Sequence, residues 1–169
     1  MSMMSKINFG EFNGRSFEWL FFNAPWYADW MHKNRVLETR WDYEDEERAC
    51  FTELHRRASA LAGVCPYCLE RKVVRRALSV HSGNVGIITF CCGECRPINE
   101  GRVLYEASSF FMRPEQWTRV DQKRLTATIK DEYIGRGNLT QRKMEAFFQD
   151  DKLFWNVTPK FFQVMEVLQ

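Results

Sequence analysis

Apolar positions along this chain follow several distinct rhythms. Phe51, Leu54, Ala58 and Leu61 recur at three- and four-residue intervals, the spacing of one helix face, so a helix is expected from about Asp42 to Leu61 with Gly63 just past its end. Val73 to Val80 and Val85 to Phe90 are runs rich in β-branched residues, parted by Ser82-Gly83-Asn84, and read as strand–turn–strand. Val103 to Met112 reads as a further strand. Earlier in the chain, Phe9, Phe12, Phe17 and Trp19 alternate loosely, as short strands would. Asn23-Ala24-Pro25 then offers a helix start, with Asn as the cap and Pro in the first turn, ahead of Trp26, Tyr27 and Trp30. Towards the end, Arg113-Pro114-Glu115 opens a helix carrying Trp117 and Val120, and Gly135-Arg136-Gly137-Asn138 interrupts it. Thr140 caps a segment with Met144, Phe147 and Phe148 on one face, and Thr158-Pro159 starts a last helix striped by Phe161, Phe162, Met165 and Leu168.

These elements make an α+β protein in three stretches: a small aromatic strand–helix module over 6–62, a four-cysteine hairpin over 63–112, and a helical C-terminal region over 113–169. A chain of 169 residues suits one medium domain or two small ones sharing a surface, and its 14 Phe and 6 Trp supply a core. The net charge of +2 gives no global attraction to nucleic acid or membrane. The acidic cluster Asp42, Glu44, Asp45, Glu46 and Glu47 falls at the start of the long helix, where the helix dipole favours negative charge. No stretch has the apolar length of a membrane span, and Met1 to Gly10 lacks the run of a secretion signal. Six cysteines in that context point to a reducing cytoplasm, where metal or free thiols are expected rather than disulfides.

Four of those cysteines carry the strongest chemical signal. Cys65-Pro66-Tyr67-Cys68 and Cys92-Gly93-Glu94-Cys95 are two C-x-x-C steps, one on each side of the strand–turn–strand. Each step sets two thiolates on one tight turn, and two such turns close a four-sulfur cage around Zn²⁺. A redox C-x-x-C or simple packing would account for one pair; two pairs flanking a hairpin argue for a zinc ribbon. Cys91 could compete with Cys92, but Cys92 keeps the two-residue spacing and places Gly93 inside the turn. Cys50 lies on the long helix and reads as a packed thiol.

The run Phe9-Gly10-Glu11-Phe12-Asn13-Gly14, followed by Pro25-Trp26-Tyr27-Ala28-Asp29-Trp30, resembles a small module found at the C-terminus of exonuclease X-like proteins. The matching positions are Phe9, Gly10, Phe12, Gly14, Pro25, Tyr27 and Trp30, and a following helix at 42–62 fits as well, so the resemblance covers about the first third of the chain. It implies a nucleic-acid-associated accessory role, and it does not imply the nuclease domain, whose acidic metal ligands belong elsewhere. Both lysines usual in that family are replaced here, by Glu11 and Asn13.

Three functions follow in order of support. The first is a non-catalytic zinc-binding accessory protein that binds nucleic acid, DNA ahead of RNA, or a nucleic-acid-processing protein. Its candidate contacts are Arg71, Lys72, Arg75 and Arg76 on the hairpin, Arg96 beyond it, and Arg136 between two glycines. Arg75 and Arg76 are adjacent, so on a strand they point to opposite faces. The second is a protein–protein adaptor or inhibitor, favoured by the Phe and Trp content and by the rigidity of a metal-held platform; a small phage or mobile-element protein acting on a host complex would have this make-up. The third, an enzyme, has least support. A four-thiolate cage leaves no open metal position, and His32, His55 and His81 are scattered in sequence.

Overall fold

The computed structural model describes residues 5–82, 85–95, 103–106, 110–111 and 119–155, with side chains outside the stretches 76–88, 103–106 and 119–122. Three helices open the chain: α1 (Phe17–Asn23), α2 (Pro25–Lys33) and α3 (Asp45–Ser59). The loose aromatic alternation therefore does not produce strands. Phe17, Leu20 and Phe21 stand at helical spacing and are all fully buried, and Ser16 caps them, its Oγ accepting from the Trp19 N–H at 3.1 Å. Among the described residues, the only β pairing before residue 60 is a single antiparallel bridge, Lys6 with Ser16. Because α1 runs through Asn23, the residue flanking α2 is Ala24, with Pro25 in its first turn; Asn23 is not the cap.

The long helix starts at a capping box. The Glu44 and Glu47 side chains each take the other's backbone N–H, and Asp45 and Glu46 fill the rest of the first turn, so these four acidic residues serve the helix start, while Asp42 pairs with Arg40 at 2.9 Å. Helix α3 ends at Ser59, short of Gly63, because the chain from Ala62 is taken into β pairing.

The β structure is two small antiparallel sheets. β1 (Ala62–Val64) pairs with β2 (Arg71–Val73), and a three-stranded sheet follows in the order β4-β3-β5, from β3 (Arg76–Ser82), β4 (Val85–Cys91) and β5 (Val103–Glu106). The expected strand 73–80 is thus split. The Val74 N–H donates to the Leu61 carbonyl at 2.9 Å, on the side of the first sheet, and the Arg75 N–H to the Cys91 carbonyl at 3.1 Å, on the side of the second. These two residues hand the chain from one sheet to the other. Ser82 pairs with Val85 as a tight hairpin requires; Gly83 and Asn84 themselves lie outside the described residues. β5 covers the first part of the strand expected to Met112; residues 107–109 and Met112 lie outside the described residues.

After α4 (Arg119–Ile129) the chain makes one π-helical turn, Lys130–Ile134, and reaches α5 (Gln141–Gln149). Gly135 and Gly137 between them have φ of 89° and 100°, a region open to glycine, and so break the helix where the sequence places the interruption. Thr140 caps α5 by accepting from the Lys143 N–H. The helix expected from Thr158, like Arg113 to Trp117, lies outside the described residues.

One buried apolar cluster joins the helices to the sheets, from Ile7 and Phe17 through Phe51, Val74 and Phe90 to Leu125, Phe148 and Phe154. Its centre is a mesh of phenylalanines. Phe22 meets Phe147 at 5.3 Å and Phe110 at 5.4 Å, both edge to face, and Phe21 meets Phe148 at 5.4 Å and Phe51 at 5.9 Å. Each such pair adds about 0.5–1.5 kcal/mol beyond the area it buries. Arg57, on the buried face of α3, ties in the C-terminal segment through the Phe148 carbonyl at 2.8 Å and the Asp151 carboxylate at 2.7 Å, while Glu53 holds its Nε at 2.8 Å.

Candidate metal centre

The loop between β1 and β2 begins at Cys65, and its backbone closes tightly. The Leu69 N–H donates to the Cys65 carbonyl at 2.8 Å, and the Cys65 N–H to the Glu70 carbonyl at 3.0 Å, with Leu69 at a positive φ of 59°. This turn holds Cys65 and Cys68 on one side. Directly after β4, the second turn carries Cys92 and Cys95. The Arg75–Cys91 hydrogen bond brings the two turns together across the junction of the sheets.

The four thiol sulfurs of Cys65, Cys68, Cys92 and Cys95 all lie within 4.8 Å of one another. A tetrahedral zinc site with Zn–S bonds near 2.3 Å has sulfurs about 3.8 Å apart, so this spacing fits a single ion with little movement. The group includes Cys92 and not Cys91. Cys65 and Cys92 are buried, and Cys68 and Cys95 are half-buried, so the cage faces water on one side only. The donor set itself selects the ion: soft thiolates suit zinc or another thiophilic metal and do not suit magnesium or calcium.

The protonation of these thiols points the same way. Burial opposes ionisation of Cys65, but the N–H groups of Cys92, Cys68 and Tyr67 overcome it and hold this thiol down to about 6. Hydrogen bonding to Cys92, followed by burial and the nearness of Cys68 and Cys65, pushes Cys95 up to about 12. Four sulfurs this close cannot all ionise unless a cation sits among them. By contrast, burial first and then the nearby Glu18, Glu47 and Glu53 carboxylates push the Cys50 thiol up to about 11, as expected of a packed cysteine.

The structure scatters the basic candidates. Arg71 is exposed on β2 and donates to the Lys152 carbonyl. Lys72 sits between two carboxylates, Glu70 at 2.9 Å and Glu94, and their hydrogen bonds hold its ammonium well above the usual lysine range. Arg75 is exposed, and its aliphatic stem lies against Gly93 in the second cysteine turn: a Cβ added at Gly93 would be 3.4 Å from the Arg75 Cβ. Arg76 belongs to β3, where side chains are outside the described set, and Arg96 lies outside the described residues. Arg136 is exposed in the glycine loop, remote in sequence from the cage, and its carbonyl accepts from Lys143 Nζ at 3.2 Å.

Sequence spacing hides one further constellation. His55 Nε2 lies 3.3 Å from Asp29, His32 stacks on His55 with ring centroids 3.7 Å apart, and Phe111 stacks on His55 at 4.5 Å. Asp29 and His32 share α2, three residues apart, so only packing against α3 completes the set. Lys33 also pairs with Asp29. Comparison of the chain with protein-family models, curated proteins and solved structures returns no match.

Proposed function

We propose that the protein is a zinc-binding accessory protein without catalysis of its own, folded around a zinc ribbon, that binds nucleic acid or a nucleoprotein complex. The carrying observation is the set of four cysteine sulfurs within 4.8 Å, offered by two turns that the β1–β2 and β3–β4 pairings present to each other. An ion there ties the two sheets together and holds the exposed Arg71 and Arg75 on one rigid element. Arginines placed in this way suit phosphate contacts, which supply most of the affinity of such modules. Lys72, neutralised by Glu70 and Glu94, serves the ribbon rather than a ligand. The likeness of the first third of the chain to exonuclease X tail modules adds to this reading.

The test is a salt series. Zinc-loaded protein, with about one ion per chain by elemental analysis, is titrated against labelled single- and double-stranded DNA and RNA. Affinity should fall steeply with salt, and Arg75→Glu should weaken it and flatten the slope without loss of zinc. Salt-independent or absent binding to all four ligands rejects the reading.

A second reading has one specific observation in its favour. Val64, Tyr67 and Leu69 are 59%, 37% and 77% exposed around the first cysteine turn, an apolar rim that suits a protein partner. Under that reading a native-lysate pull-down recovers a partner, Leu69→Asp loses it, and nucleic acid does not compete.

A further inference from the structure

A cleft of about 470 Å³ opens where the first and last thirds of the chain meet. Phe12 and Trp26 contribute rings from the N-terminal segment, Lys123 and Thr126 come from α4, and Glu11 and Asn23 lie between. Its volume falls in the range of small-ligand sites, and its lining mixes aromatic surface with a few polar groups.

The aromatic part is held from behind. Phe12 packs against Tyr27 at 4.9 Å and Trp19 at 5.7 Å, and Gly10 permits this because a Cβ there would stand 2.8 Å from the Tyr27 hydroxyl. Trp26 remains 44% exposed, so an indole face is offered to a ligand. The polar part has a consistent sense. Asn23 spends its amide N–H on the Trp19 carbonyl at 2.9 Å, which leaves its amide oxygen as an acceptor, and the Glu11 carboxylate is an acceptor as well. Lys123 is exposed and makes no ion pair among the described residues. A ring to stack, an amine to donate to two oxygens and an anion to meet the ammonium are the parts of a nucleotide whose base carries an exocyclic amine.

We infer that this cleft binds an unpaired, amine-bearing nucleobase of single-stranded nucleic acid, with Trp26 as the stacking surface, Glu11 and Asn23 as acceptors from the base amine, and Lys123 on the adjoining phosphate. The inference deepens the nucleic-acid reading and rests on it, but it uses none of the residues of the cysteine turns or their arginines. It also gives Glu11 a role, since a carboxylate can accept from the amine of cytosine.

Anisotropy titrations of zinc-loaded full-length protein with labelled oligo(dC) and oligo(dT) test it. Oligo(dC) should bind more tightly than oligo(dT), and Glu11→Gln should remove most of that difference. Trp26→Ala should weaken oligo(dC) binding roughly tenfold, as expected for the loss of one stacked base, and Trp26→Phe should restore most of it. Lys123→Gln should weaken both oligonucleotides and flatten the salt dependence. Cytidine monophosphate as competitor separates the sources: displacement of oligo(dC) extends the site to free nucleotides, and failure to displace confines it to strands. Wild-type binding by Trp26→Ala, with native circular dichroism and full zinc content, overturns the inference. Should Trp26→Ala prove unfolded, Lys123→Gln and Glu11→Gln decide, and wild-type behaviour in both overturns it equally. Loss with Arg75→Glu but not Trp26→Ala leaves only the ribbon reading standing, loss with Trp26→Ala but not Arg75→Glu leaves only the cleft, and no binding of either oligonucleotide removes both.

Discussion

The aromatic body and the cysteine turns of this protein are held by different forces. In the body, Phe17, Phe21, Phe22, Leu20 and Met31 are at most 1% exposed, and each ring is touched by rings from other elements. Among the described residues the cysteine turns have no comparable core: their buried cluster consists of Cys65, Cys91 and Cys92, with Cys68 and Cys95 packed against it. Fully burying a large apolar side chain contributes about 1.5–3 kcal/mol, and the body has many such side chains. Three buried cysteines fall well short of the cost of ordering two turns and a hairpin of two three-residue strands. On the proposed reading a bound ion makes up the difference on one side, while the other side holds by its own packing.

Removing the ion is the largest available perturbation. A structural zinc contributes on the order of 10 kcal/mol to a small module. Chelation, or Cys68→Ser, should release amide protection in β1, β2 and the cysteine turns, while α1 and α3 keep theirs. Hydrogen exchange followed by mass spectrometry reads both regions in one experiment. Simultaneous loss in α1 and α3 would show that the body also depends on the metal, and the contrast would fail.

The converse perturbation is Phe22→Ala. Phe22 is fully buried between Phe110, Phe147 and Phe148, so truncation should cost about 3–5 kcal/mol. Denaturant melts of metal-loaded protein should show that loss, while zinc content under native conditions stays at one ion per chain. A variant that loses zinc in parallel would show that the two regions fold as one cooperative unit.

The same division governs what could be read without a structure. The cysteine pairs are legible because ligand spacing is a local, geometric demand: C-x-x-C survives any context, and Cys92 is preferred to Cys91 for the spacing alone. The helix over 45–59 is legible through its periodic apolar face and its acidic start, and α5 through Thr140. Helix α1 is misread because a run dense in aromatics satisfies two periods at once; Ser16 and the acidic Glu18 behind it are the start signal that decides. The split at Val74 and Arg75 has no glycine or proline to announce it, since it is imposed by hydrogen bonds to Leu61 and Cys91, thirteen and sixteen residues away along the chain. The three histidines look scattered because His32 and His55 meet only when α2 packs on α3. Whether the arginines meet a ligand is a matter of partners, and spacing along the chain carries no information on it.

The smallest effect lies on the seam between the two regions. Tyr133, in the π-helical turn, buries its hydroxyl without a hydrogen-bond partner among the described residues, and burial raises its pKa far above the usual tyrosine value. That oxygen sits over Gly63 in β1, two residues before the first metal ligand: a Cβ at Gly63 would stand 2.6 Å from it and 3.2 Å from Val74 Cγ2. Glycine is therefore required by space, and Gly63→Ala should cost about 1–3 kcal/mol, the usual price of overpacking. Tyr133→Phe removes both the unpaired oxygen and the obstruction, so alone it should be neutral or stabilise by about 1 kcal/mol. In the double variant the cost of Gly63→Ala should shrink markedly, a coupling that thermal or denaturant melts resolve. If Tyr133 links the body to the metal turns, Gly63→Ala should also speed zinc release to a chelator, and Tyr133→Phe should reverse that gain. Additive effects on stability, with zinc release unchanged, would show that the ribbon rests against the body without being coupled to it.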